Sequence, residues 1–216
     1  MLHNLAEHNS VLSSFVRDMR SVEIQGDRMR FRKNLKRIGQ VAAYEISKHL
    51  EYETQQVKTP LGNAEMSLMK RQPVLATILR AGLALHEGLL DYFDGADNAY
   101  ISAYRKHDES GNFTIELEYV SCPEIDDRLL IISDPMLATG SSMVATVEKL
   151  LAIGKPASVH IVSAIASTSG VEKVQQGLPG VHIWTAALDS ELDERGYIIP
   201  GLGDAGDLSF GPKIQS

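Results

Sequence analysis

The sequence predicts an α/β fold: a mostly parallel central sheet with helices on both faces. Three observations predict it. Apolar runs at 74–79, 129–132 and 159–164 have the character of strands buried on both sides, with four aliphatics in a row at 129–132. A helical pattern follows each run, the βα rhythm that builds parallel sheets. Each run also ends in a loop of small, polar or charged residues: Arg80-Ala81-Gly82, Asp134 to Ser142, and Ser167 to Gly170. The carboxyl ends of strands are where open α/β sheets bind ligands.

Length and charge bound the rest. The chain has 216 residues, enough for one α/β domain, and no linker or repeat divides it. Net charge is −7, which disfavours broad nucleic-acid binding. Cys122 is the single cysteine, so no intrachain disulfide forms and a reducing compartment is expected. It reads as a small filler near a strand end. The first residues lack the blocks of a signal peptide, and no apolar stretch reaches membrane-spanning length. The expectation is a cytoplasmic protein with no nucleic-acid or membrane partner.

In chain order, a short helix is expected around 9–20 and a turn at Gln25-Gly26. Asp27 suits an N-cap, and Phe31, Leu35, Ile38, Ala42, Ile46 and Leu50 recur at helical spacing. The opposite face carries Arg28, Arg30, Arg32, Lys33, Lys36 and Arg37, read as a solvated face. Residues 54–58 and 64–69 bracket Thr59-Pro-Leu-Gly-Asn as a hairpin. After the strand 74–79, Arg80 offers a guanidinium fork that matches phosphate. A helix through Leu83, Leu85, Leu89 and Phe93 follows, with His86 structural. The strands 99–104 and 113–120 flank a polar loop at 105–112 with the composition of a lid.

The run at 129–132 leads into Asp134-Pro-Met-Leu-Ala-Thr-Gly-Ser-Ser and a helix over about 142–153. Backbone N–H groups and hydroxyls at a helix start suit a phosphate. An ordinary strand–helix turn capped by Thr and Ser fits the same residues. The strand 159–164 and the helix opened by Ser167 to Gly170 repeat the theme. The next strand, 181–185, carries Trp184 as a core residue. The segment from Tyr197 to Asp207 has no regular period. Its glycines let backbone approach a ligand closely, and Tyr197, Ile198, Ile199 and Phe210 are the expected anchors.

Three stretches resemble the uracil phosphoribosyltransferases, a branch of the type I phosphoribosyltransferases. They are Ile78-Leu-Arg-Ala-Gly-Leu, Asp134-Pro-Met-Leu-Ala-Thr-Gly and Gly196-Tyr-Ile-Ile-Pro-Gly-Leu-Gly-Asp-Ala-Gly-Asp. The resemblance runs from about Arg17 to Gly211. It implies one phosphoribosyltransferase domain over 1–216, with a hairpin arm at 52–70 and a base-binding hood at 189–211. It implies transfer of phosphoribose from 5-phosphoribosyl 1-diphosphate to uracil, giving UMP and diphosphate in pyrimidine salvage. Mg²⁺ is the implied cofactor, held mainly by the diphosphate substrate and water. A homodimer or larger homo-oligomer is implied, and GTP is an effector in some members.

Carried over by position, Asp134, Arg105 and Asp204 match the catalytic residues. Arg80, Arg105, Asp204 and the run Asp134, Pro135, Met136, Leu137, Ala138, Thr139, Gly140, Ser141 and Ser142 match the phosphoribosyl diphosphate site. Ile198, Gly203, Asp204 and Ala205 match the uracil site. Asp134 suits the ribose hydroxyls, and the loop from Ala138 to Ser142 suits the 5-phosphate. Asp204 is the nearest candidate for a base at N1 of uracil. Two departures stand out: Ser141 replaces a common second glycine, and residues 106–108 differ from the usual sequence. Two other readings are a type I transferase for another base and an RNA-binding regulator using the Arg28 to Arg37 face.

Overall fold

The computed structural model describes residues 1–107 and 113–213, with side chains outside 103–117. The chain opens with a short strand β1 (Leu2–Asn4), helix α1 (Leu12–Arg20) and the long helix α2 (Arg28–Ser47). The hairpin β2 (Tyr52–Thr59) and β3 (Gly62–Met69) comes next. Then follow β4 (Val74–Leu79), α3 (Leu83–Leu90), β5 (Asp97–His107) and β6 (Phe113–Ser121). The second half holds β7 (Leu129–Ser133), β8 (Met136–Leu137), α4 (Ser141–Leu151), β9 (Ser158–Ser163) and β10 (Ile165–Ser167). It ends with α5 (Thr168–Gly177), β11 (His182–Thr185), β12 (Leu188–Asp189), β13 (Glu191–Leu192), β14 (Ile198–Ile199) and α6 (Ala205–Phe210).

Seven strands form the main sheet in the order β1-β11-β9-β7-β4-β5-β6. All neighbours are parallel except β5 and β6. Strand alternation divides the core. Leu75, Ile131, Val162 and Trp184 face one side with α1, α2 and α3. Val74, Ala76, Leu130, Ile132 and Ile161 face the other side with α4 and α5. Helices on both faces are therefore present, as the βα rhythm requires. Among the described residues no helix is long and apolar enough to cross a membrane.

The strand order fixes the crevice. From β4 the chain adds β5 and β6 on one side, then β7, β9 and β11 on the other. Strand order reverses between β4 and β7, and this switch point opens a crevice at their carboxyl ends. Buried hydroxyls stitch the two strands below it: Thr77 Oγ1 donates to the Ser133 carbonyl at 3.3 Å and Ser133 Oγ to the Ala76 carbonyl at 3.2 Å.

Several elements differ from expectation. β1 is an added edge strand, held where the Met1 amino group donates to the Val181 carbonyl at 2.6 Å. β5 continues to His107, so Arg105 to His107 of the expected polar loop lie on a strand; the rest of that expected loop, 108–112, lies outside the described residues. The hairpin turn narrows to Pro60-Leu61, because Thr59 already pairs with Gly62. The basic face of α2 is only partly solvated. Arg32 donates to the Ser209 carbonyl at 2.6 Å, Arg30 pairs with Asp18, and Lys36 reaches Asp91 at 3.1 Å.

Candidate functional site

Asp134 stands just past β7, at the mouth of the crevice, with its N–H donating to the Val162 carbonyl at 3.1 Å. Burial pushes its carboxyl up to about 7. A hydrogen bond from the Met136 N–H works against that rise, and the facing charge of Asp204 adds to it. Two acidic residues from distant parts of the chain are therefore close enough for the charge of one to be felt by the other.

The phosphate-type loop is held from below. Gly140 takes φ +75° and opens α4, and no side chain caps that helix. Asp27, Ser167 and Asp204 cap α2, α5 and α6, whereas α1 and α3, like α4, have no side-chain cap. Within the loop, Ser141 N–H donates to Thr139 Oγ1 at 3.4 Å. The next N–H groups, of Ser142 and Met143, are the ones an anion at this helix start would meet. Ser167 Oγ donates to the Ala138 carbonyl at 2.6 Å and accepts from Gly170 N–H at 2.9 Å. A Cβ at Gly170 would lie 2.1 Å from that carbonyl, so the loop rests on a position only glycine can fill. Lys173, on α5, donates to Ser141 Oγ at 2.7 Å.

The C-terminal segment closes the other side. Asp189 accepts two bonds from Arg20 at 2.7 and 2.8 Å, and one from Gly201 N–H at 3.0 Å. Arg20 also donates to the Gly201 carbonyl at 3.0 Å. This buried pair joins α1 to the glycine-rich segment through both polar groups of one residue. Asp204 Oδ1 caps α6 by accepting from Asp207 N–H at 2.9 Å. Arg80 donates to Asp207 and to the Gly211 carbonyl, each at 3.2 Å. That ion pair is well exposed and therefore weak, so the guanidinium can be released to a stronger anion. At the far end, a Cβ on Gly196 would meet the Thr139 methyl at 3.2 Å. The hood thus reaches the phosphate-type loop.

Arg80, Asp134, Ala138 to Ser142 and Asp204 come together at the crevice. Pro135 and Leu137 are buried, so any role for them is through backbone. Met136 lies in β8, where it pairs with Ile165. Ile198 and Ala205 are in the core, and Gly203 is exposed with φ +91°. The side chain of Arg105 lies outside the described residues. Three expected hood anchors differ: Tyr197, Ile199 and Phe210 are exposed, while Leu202 and Ala205 join Ile198 in the core. Phe210 sits beneath Arg32 at 6.0 Å. His86 is buried against Asn98 at 2.8 Å, the structural role expected for it. Arg20, Asp189 and Lys173 carried no local sequence signal, because each acts on a partner far along the chain; Ser167 was legible as the start of α5, but not its bond to Ala138. Mg²⁺ prefers few protein carboxylates together with phosphate and water. The Asp134–Asp204 pair fits that preference, and among the described residues no cage of three or more His, Cys, Asp or Glu forms.

Comparisons with known proteins identify the family. The family model described as uracil phosphoribosyltransferase matches residues 6–212. A uracil phosphoribosyltransferase of Porphyromonas gingivalis is 53% identical over 215 residues, spanning 99% of both chains. One of Methanothermobacter thermautotrophicus is 41% identical over 183 residues, covering 84% of this chain and 83% of its own. A solved Aquifex aeolicus protein superposes with a TM-score of 0.87 at 29% identity, across 99% of this chain and 100% of that one. A Staphylococcus aureus hypoxanthine phosphoribosyltransferase shares the fold alone, with a TM-score of 0.52 at 14% identity over 91% of this chain and 94% of its own. The chain belongs to the uracil phosphoribosyltransferase family.

Proposed function

We infer that the crevice between β4 and β7 is where the chain carries out its family's reaction. That reaction joins uracil to 5-phosphoribosyl 1-diphosphate and releases UMP and diphosphate, the salvage of a free pyrimidine. The observation that carries the assignment is Asp134 at the carboxyl end of β7, followed directly by the glycine-opened start of α4, with Arg80 at the end of the neighbouring strand β4 bonded to Asp207 of the glycine-rich segment. The 5-phosphate dianion takes the N–H groups from Ala138 to Ser142. Asp134 accepts the ribose hydroxyls, and its charge favours the positive charge that grows on the ring as diphosphate departs. Arg80 leaves Asp207 for the departing diphosphate, joined there by Arg105.

Uracil presents C2=O, N3–H and C4=O along one edge. Backbone groups around Ile198 and from Gly203 to Ala205 match that edge, and cytosine would leave donors facing donors. Asp204 is the nearest acceptor for the N1 proton. Asp134 and Asp204 would face a Mg²⁺ carried in by the diphosphate substrate and water, and that ion would supply positive charge to the leaving group. The test is diphosphate release from phosphoribosyl diphosphate with uracil and Mg²⁺. Turnover with uracil well above cytosine, hypoxanthine and orotate is expected, and none in folded protein sinks the assignment.

The partner we propose is a second copy of this chain, on the hairpin arm. Both faces of β2–β3 are exposed, with Tyr52, Val57, Leu61, Met66 and Leu68 among the uncovered apolar side chains. Sedimentation tests this, and a monomer at all concentrations refutes it. A GTP effect is tested by titrating turnover, with no residue assigned to it. The single cysteine supports a cytoplasmic setting. The RNA-binding reading loses ground, because Arg30, Arg32 and Lys36 already serve partners within the fold.

A further inference from the structure

We propose that Lys173 is a further binding residue for the 5-phosphate of phosphoribosyl diphosphate, brought to it by Ser141. The proposal rests on the reading that Ala138 to Ser142 hold that phosphate. Its own observation is separate. Lys173 lies on α5, outside the loop, yet its ammonium donates to Ser141 Oγ at 2.7 Å. Ser141 is the first residue of α4, the helix whose start no side chain caps. The contact is to a hydroxyl, not to a carboxylate, so the positive charge is not neutralised by it.

The stem of the lysine is guided to this place. Val174, its neighbour, is fully buried and fixes the turn of α5. A Cβ on Gly140 would lie 3.4 Å from the Lys173 Cβ and 3.3 Å from Val174 Cγ2, so this turn of α5 lies alongside the loop. An ammonium has three donors, and the hydroxyl takes one. The others are free for phosphate oxygens arriving at the start of α4. The substitution of Ser141 for the common glycine thereby gains a role: it gives the lysine a fixed neighbour. A phosphate dianion a few ångströms from an ammonium at a partly screened surface gains roughly five- to twenty-fold in affinity.

The test compares wild type with Lys173→Met, which keeps the stem and removes the charge. Steady-state turnover is measured, with ribose 5-phosphate and inorganic diphosphate as inhibitors competing with phosphoribosyl diphosphate. We expect the KM for phosphoribosyl diphosphate and the Ki for ribose 5-phosphate to rise roughly five- to twenty-fold. The Ki for diphosphate, the KM for uracil and the melting temperature should hold, and Lys173→Arg should recover most of the loss. A structural role would not separate the two inhibitors. If ribose 5-phosphate competes with wild type and binds the variant equally well, the lysine has no such role while the loop reading stands. If diphosphate weakens as much as ribose 5-phosphate, the lysine acts as a general field and the proposal is wrong. If ribose 5-phosphate does not compete with wild type, the loop reading fails and takes the proposal with it.

Discussion

Gly170→Ala tests whether the start of α5 sets the shape of the phosphate loop. The added Cβ would lie 2.1 Å from the Ala138 carbonyl oxygen and 2.9 Å from that of Leu137. Close carbon–oxygen contacts settle near 3.3 Å, so loop and helix must part by about 1 Å. The φ of Gly170 is not in the left-handed region, so alanine introduces no backbone strain there. Helix propensity alone would favour alanine by about 1 kcal/mol. The opposing effect is loss of the Ser167–Ala138 and Gly170–Ser167 hydrogen bonds together with the clash, about 1–3 kcal/mol. A displacement of about 1 Å in a binding loop lowers kcat/KM on the order of 100-fold, or about 2.7 kcal/mol of transition-state stabilisation. The assay is kcat/KM for each substrate beside the thermal midpoint. We expect the phosphoribosyl diphosphate value to fall about 100-fold with only a small drop in the midpoint. Ser167→Ala, which removes hydrogen bonds without a clash, should fall about ten-fold. A Gly170→Ala enzyme within three-fold of wild type would refute the claim that this contact shapes the site.

Asp134→Asn should lower kcat more than it raises KM; a change confined to KM would remove its role in the transition state. The wild-type carboxyl, raised to about 7, holds a proton in the fold that the unfolded chain releases near 3.8. Stability should therefore fall as pH rises from about 4 to 7, a slope that denaturant titration would find missing in Asp134→Asn. The stacked His3, His160 and His182 behave oppositely. Burial lowers all three first, with His160 at about 3; neighbouring histidines, His49 among them, and the nearby amino group add to it. The unfolded chain binds protons there first, so stability from this cluster is lost as pH falls from 6.5 towards 3, and Trp184 fluorescence should report it. Asp189→Ala leaves Arg20 unpaired in a half-buried site. It should cost about 3 kcal/mol and raise the uracil KM more than the phosphoribosyl diphosphate KM, and equal effects on both would show that the pair does not serve the hood.

The centre of the fold was legible because β4 and β7 are almost entirely aliphatic, broken only by Thr77 and Ser133, and have one structural meaning. The margins were not. β1, β8, β10 and β12 hold two or three residues each, too few for any period to register. Arg105-Lys106-His107 reads as loop by composition, yet pairs with Ile115, Thr114 and Phe113 across an antiparallel edge. Polar residues are tolerated there because an edge pair is covered less than a central strand. In the hood, alternation along β14 buries Ile198 and exposes Ile199, a choice set by pairing with β13. The site loops themselves were readable as strand ends. What holds them was not: Arg20 and Asp189 are 169 residues apart, and neither is unusual in its own neighbourhood.

That separation has a consequence for synthesis. β1 finds its partner only when β11 exists, since Met1 is bonded to Val181 across 180 positions. At roughly 5–20 residues per second, translation delays that pairing by about 10–40 s. Arg20 waits slightly less for Asp189, and Arg32 waits for Ser209. The sheet centre can assemble while the ribosome is still working, but the cover over the base cannot. A nascent chain halted before residue 189 would present the anion loop without the surface that chooses between bases. If the hood selects the base as proposed, selectivity is the last property this polypeptide acquires.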